Sequence, residues 1–138
     1  MRALLDTDVI LDFFLEREQS IEDATALLEA NQRGDFDGYI SASTPLNVFY
    51  HARKFKGIAV ARQVVTILLA SLPVCPIDRA VAQAALSLPF SDYEDAVQHA
   101  SATASGMDAI ITRNLEDYRR ATLPIFSPAA FLAQLSNE

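Results

Sequence analysis

Short apolar runs that stop at a polar residue alternate along this chain with longer stretches whose apolar residues recur at helical spacing. Nothing else in the sequence constrains the fold as strongly. Strands buried on both faces read as continuous apolar runs, and helical crossovers bring successive strands parallel. The runs are Arg2–Leu5, Gly38–Ile40, Val74–Ile77 and Ala109–Thr112, with Ile125–Phe126 as a possible fifth. Helices are expected over Val9–Leu15, over Ile21–Arg33 with Ala24, Leu27 and Leu28 on one face, and over Ile58–Leu72 before Pro73. Another should be capped by Ser43 or Thr44, carry Pro45 in its first turn and end at Gly57. Asp78 should cap a helix through Leu86, and Ser91-Asp92-Tyr93-Glu94 has the capping-box form that opens a helix over Asp92–Ser105. A helical turn at Leu115–Tyr118 and a closing helix over Pro128–Leu135 complete the pattern. The expected class is α/β: a three-layer α/β/α fold around a mostly parallel sheet of about four to five strands.

The 138 residues suit one domain, and no repeat or Pro/Gly-rich linker suggests a boundary. No apolar run approaches the ~20 residues of a membrane span, and the opening Met1–Asp6 lacks the apolar core of a signal peptide. A lone cysteine, Cys75, rules out a disulfide within the chain and reads as a small core residue. A cytoplasmic location and no membrane partner are therefore expected. The net charge of −7 argues against a protein that grips nucleic acid by broad phosphate neutralisation. It leaves open an enzyme whose acids bind a metal, because a bound cation reverses the local field.

In parallel sheets, ligands sit beyond the carboxyl ends of the strands, so the acids there carry the functional argument. Asp6 follows the first strand directly, in Asp6-Thr7-Asp8-Val9. Asp6 or Asp8 could cap the helix that begins near Val9; as a metal ligand, Asp6 would instead offset its desolvation with a cation. In Asp92-Tyr93-Glu94-Asp95, the capping box accounts for Glu94, whereas Asp95 has no comparable structural role. His99, one turn later, could bond to it. Thr112-Arg113-Asn114 ends the fourth run, and Asp117 follows as a cap or as another member of the acid cluster. Oxygen donors without a thiolate or imidazole set point to Mg²⁺ or Mn²⁺. Thr112 or Ser43 could orient a water or phosphate oxygen, and Arg113 could meet the phosphate. Arg53, Lys54 and Lys56 make the one dense basic patch. Phe13, Phe14, Phe49 and Tyr50 read mostly as core, with some available for a partner surface.

In their order and spacing, these pieces resemble the PIN-domain family, particularly its bacterial VapC-like toxin branch, over nearly the whole chain. Leu5-Asp6-Thr7-Asp8-Val9-Ile10-Leu11-Asp12 resembles the family's first acidic motif, and Ile40–Asn47 its second strand and following helix. Glu94-Asp95-Ala96-Val97-Gln98-His99-Ala100 resembles the third motif, and Thr112-Arg113-Asn114 with Asp117 the last. The resemblance implies metal-dependent hydrolysis of RNA at a carboxylate cluster, with Asp6 and Asp95 on the metal-binding positions and Asn114 or Asp117 on the final one. Asn47 stands where many members carry glutamate, so it brings no charge; Asp8, Asp92 or Glu94 could compensate. The resemblance also implies a small antitoxin whose tail fills the active-site groove, and a homodimer.

Two rival readings follow from the same residues. Asp6-x-Asp8 also resembles the opening of haloacid-dehalogenase-like phosphatases, which work through an aspartyl phosphate. Such a site needs a lysine near the later strands, and the only lysines here are Lys54 and Lys56. The other rival is a PIN-fold protein that has lost cleavage and binds RNA or a partner, for which Asn47 is the main support.

Overall fold

The structure, a computed structural model, describes residues Met1–Asn137. Its elements run β1 (Arg2–Leu5), α1 (Thr7–Phe14), α2 (Ile21–Gln32), β2 (Asp37–Ser41), α3 (Ser43–Lys56), α4 (Ile58–Ser71), β3 (Val74–Cys75), α5 (Arg79–Leu86), α6 (Tyr93–Ala104), β4 (Ala109–Ile111), a 3₁₀ turn (Leu115–Tyr118), β5 (Ile125–Phe126) and α7 (Pro128–Ser136). The five strands lie in the order β3-β2-β1-β4-β5, and every neighbouring pair is parallel. The fold is the expected three-layer α/β/α arrangement.

Strand periodicity explains the layers. Successive side chains point to opposite faces. Thus Ala3 and Leu5 of β1, with Ala109 and Ile111 of β4, enter a core shared with Val9, Ile10, Leu27, Leu68 and Phe131. Leu4 and Ile110, between them, enter the opposite core with Cys75, Ala102, Met107 and Tyr118. A third cluster, Val81, Ala85, Ala96, Val97 and Ala100, joins α5 to α6. The small residues of α6 allow this close approach, and seven consecutive α6 residues from Ala96 to Ala102 are buried.

Several boundaries differ from expectation for identifiable reasons. β3 stops at Cys75 rather than Ile77, because it pairs only with the end of β2, through Ile40–Val74 and Ser41–Cys75. The first helix starts at Thr7, with Asp6 in the N-cap position but making no side-chain cap bond. Neither Ser43 nor Thr44 caps α3: Ala42 holds that position, while the two hydroxyls bond to Ser41 and Thr7 respectively. The expected capping box is displaced by one residue, since Asp92 caps α6 by accepting from the Asp95 backbone N–H at 3.1 Å. Tyr50 is 67% exposed, not core, and Phe13, Phe14 and Phe49 are half-buried. Gly57 joins α3 to α4 at φ +87°, a left-handed conformation that side chains disfavour.

Asp78 does cap α5 as expected, accepting from Val81 N–H at 2.9 Å. Asp78→Ala should lower stability by about 1 kcal/mol, read from urea unfolding as a lower midpoint at unchanged slope; an unaltered midpoint would show the cap contributes nothing.

Candidate active site

The chain runs outward from β1 to β3 and returns to β4 on the other side of β1, so the crossover direction reverses between β1 and β4. Side chains leaving those two strands at their carboxyl ends face the crevice where parallel sheets bind ligands. Asp6 lies there, its backbone N–H donating to the Ile111 carbonyl at 2.9 Å. Its carboxylate is 6% exposed. Gln98 Nε2 of α6 donates to Asp6 Oδ1 at 2.7 Å, and Thr112 Oγ1 donates to Oδ2 at 2.7 Å. Burial pushes the Asp6 carboxyl up; the bonds from Gln98 and Thr112 partly oppose this, and the Asp117 charge adds to it.

α6 brings Asp95 to the same crevice from the other core layer. Tyr118 is 2% exposed, and its hydroxyl accepts from Gln98 Nε2 at 3.2 Å and reaches Asp95 Oδ1 at 3.5 Å. A bridge of Gln98 and Tyr118 thus links Asp6 and Asp95, 89 positions apart in the sequence. Burial, then the charges of Asp6, Asp92, Asp117 and Glu94, raises Asp95 to about 7. Asp117 is exposed on the 3₁₀ turn, yet close enough for its charge to act on both Asp6 and Asp95. Asn114, the alternative for the final acidic position, donates its backbone N–H to Thr112 Oγ1 at 3.0 Å.

The other candidate residues divide by what they touch. Asp8 accepts from the Arg113 backbone N–H at 3.2 Å and lies 3.3 Å from Thr112 Oγ1; burial, then the charge of Asp6, pushes it to about 7. The Arg113 guanidinium is pinned to Asp12, Nε to Oδ2 at 2.8 Å, and remains 42% exposed. Asp12 also pairs with Arg17 at 3.4 Å. Thr112, expected to steer a water or phosphate oxygen, is fully buried and spends its hydroxyl proton on Asp6. Ser43 bonds to Ser41 at 2.8 Å, and Ser41 in turn lies 3.5 Å from Gln98 Oε1. Asn47 donates its amide to Glu94, whose carboxyl is raised by burial and by Asp92 and Asp6. With Asp92 as the cap, Glu94 is released from the capping-box role and faces α3 instead. His99 does not meet Asp95: its Nε2 accepts from the Thr122 and Leu123 backbone N–H groups at 3.1 and 3.3 Å.

Gln98, Tyr118, Ser41 and Asp12 were not among the candidates. Gln98 had a usable signal, a polar side chain one turn beyond Asp95 among small apolar neighbours on a helix that had to be buried. Asp12 had a weaker one, four residues after Asp8 on the same helical face. Tyr118 and Ser41 had none, because their role exists only where separate elements meet.

Among the described residues, no three acids, histidines or cysteines converge closely enough to chelate a metal unaided. The donor set still fits a hard cation. Two carboxylates with raised affinity for protons repel one another across a largely buried crevice, and no described salt bridge neutralises Asp6 or Asp95. Mg²⁺ commonly takes one or two protein carboxylates and keeps several waters. The rival aspartyl-phosphate chemistry lacks its lysine: Lys54 lies over the Phe55 ring, and both Lys54 and Lys56 are exposed at the end of α3.

The family model described as the PIN domain matches residues 2–116. No curated protein matches the chain. Among solved structures, a toxin–antitoxin complex from Klebsiella pneumoniae is 26% identical with a TM-score of 0.69, covering 91% of this chain and 97% of that one. DNA-bound VapBC from Salmonella typhimurium is 20% identical with a TM-score of 0.73, covering 93% and 98%. VapC20 from Mycobacterium tuberculosis, described as a sarcin–ricin loop cleaving toxin, is 12% identical with a TM-score of 0.64, covering 78% and 86%. A PIN model spanning most of the chain, on a fold shared with these structures, makes this protein a member of the PIN-domain family.

Proposed function

We propose that the protein is a divalent-metal-dependent endoribonuclease, the toxin of a toxin–antitoxin pair. The observation that carries this reading is the link from Asp6 through Gln98 and Tyr118 to Asp95 near the reversal point of the sheet, with no salt bridge to either acid among the described residues. Asp6 and Asp95 would hold Mg²⁺ or Mn²⁺, with Asp117 adding charge from the solvent side. When bound, the metal supplies positive charge against the phosphodiester and lowers the pKa of a coordinated water. Thr112 and Gln98 hold Asp6 in one orientation, and Arg113, fixed by Asp12, keeps a partly exposed cation beside the crevice for a substrate phosphate. Cleavage of RNA in Mn²⁺, abolished by EDTA, is the direct test; metal-independent cleavage by pure protein would overturn the proposal.

The surface supports the partners this reading needs. Phe13 and Phe14 line a half-polar groove of about 570 Å³ with Ile67, Leu72, Asn31 and Gln32, suited to an antitoxin segment. Leu46, Tyr50, Phe55 and Ile58 stand 74%, 67%, 64% and 49% exposed, an apolar surface suited to a homodimer. No described helix is long and apolar enough to cross a membrane.

The alternative of a catalytically silent RNA- or partner-binding protein rests on Asn47. The Asn47–Glu94 bond weakens it, because a carboxylate stands against the amide that replaces one. Asn47→Glu is therefore expected to change RNA cleavage by less than about tenfold, a barrier change under ~1.4 kcal/mol. Activity appearing from none in that variant would favour the binding reading.

A further inference from the structure

Asp95 projects from the first turn of α6 and is only half-buried, so packing alone does not hold its carboxylate. Among the described residues, the Tyr118 hydroxyl is the sole side-chain donor within reach of it, at 3.5 Å. That hydroxyl is itself placed by Gln98, whose Nε2 donates both to it, at 3.2 Å, and to Asp6, at 2.7 Å. Gln98 is 1% exposed, and its own carbonyl is approached by Ser41 Oγ at 3.5 Å, which keeps the amide facing the acids. The ring of Tyr118 packs edge-on against Phe90 at 5.8 Å between centroids, fixing the hydroxyl independently of the acids.

One feature makes this more than ordinary satisfaction of buried polar groups. A single buried amide donates both to Asp6 and to the hydroxyl that reaches Asp95. An amide and a phenol hydroxyl are uncharged donors, so they add no charge that would compete with a cation.

We infer that Gln98 and Tyr118 form an uncharged bridge that fixes the separation and orientation of the Asp6 and Asp95 carboxylates for a shared divalent cation. They are positioning residues, acting through the two acids. The inference rests on the proposed metal-dependent function, and its logic is that of outer-shell hydrogen bonds, whose loss commonly weakens metal binding by about 10–100-fold.

The test is calorimetric titration of the full chain with Mn²⁺, beside melting of the metal-free protein, for wild type, Asp6→Asn, Tyr118→Phe and Gln98→Leu. Tyr118→Phe deletes one hydroxyl and keeps the ring on Phe90. It should weaken Mn²⁺ binding by about tenfold or more, while the metal-free melting temperature stays within about 4 °C of wild type. Gln98→Leu should weaken binding at least as much. Mn²⁺ affinity within twofold of wild type in Tyr118→Phe overturns the bridge. So does a metal-free melting temperature lowered by more than about 8 °C, since the hydroxyl would then chiefly serve the fold. Binding by wild type but not by Asp6→Asn upholds the metal site whatever the bridge variants do. No binding by wild type overturns the metal site and the bridge together.

Discussion

Asp6→Asn is expected to lower RNA cleavage by on the order of 10³-fold while leaving the metal-free protein at least as stable at pH 8. The two effects separate because the side chain serves chemistry at the expense of the fold. Asparagine keeps an acceptor for Gln98 and can donate to Thr112, whose hydroxyl then turns toward Asp8 at 3.3 Å. What it removes is the negative charge, which burial disfavours in the metal-free protein and which a cation would require. Cleavage rates over a range of Mn²⁺ concentrations, with thermal melts in EDTA, check both halves. Equal activity in the variant and the wild type would point to a contaminating nuclease.

The metal-free protein should lose stability steadily as pH rises from about 4 to about 8, and Mn²⁺ should reverse the loss. Burial first, and the charge of Asp6 next, lift Asp8 and Asp95 from 3.8 to about 7. A carboxyl that binds its proton more tightly when folded favours the folded state in full below its unfolded pKa. That contribution fades as the pH climbs through the folded value. The window is therefore the interval between 3.8 and about 7, extended by the width of a titration. At pH 8 both acids are ionised and repel, which is the state a cation stabilises. Saturation to about 100 times Kd adds ~2.7 kcal/mol, or about 5–10 °C in melting temperature for a chain of this size. Melting curves at unit steps of pH, in EDTA and in Mn²⁺, would show it. Stability that instead climbs toward pH 8 in EDTA would mean the acids already have cationic partners within the protein.

Patterns local in sequence carried most of the fold. Apolar runs with helical stretches between them specify strands and crossovers, because alternation of side chains across a strand is a property of a few consecutive residues. The positions of Asp6 and Thr112 just past short apolar strands, and of Asp95 in the first turn of α6, were legible for a related reason: each is set by its own element. The errors fell where one residue's role depends on a distant neighbour. Ser91 and Asp92 are both competent caps, and only the packing of α6 selected Asp92, releasing Glu94 to meet Asn47. Thr112 looked like a free hydroxyl at a strand end and proved to be a fully buried donor to Asp6.

By itself, the sequence determined the alternation of elements, the parallel sheet that follows, and which acids stand at strand and helix ends. Those depend on periodicity and caps, which act over a turn or a few residues. Only the tertiary structure decided that Gln98 and Tyr118 link Asp6 to Asp95, that Arg113 is tied to Asp12, and that the charge of Asp117 acts on both acids. Hydrogen bonds require separations of about 3 Å, and Coulomb interactions weaken with distance and are screened over about 10 Å, so both depend on side-chain separation. Between residues far apart in the chain, that separation is set by the packing of helices on the sheet and is written in no single stretch of sequence.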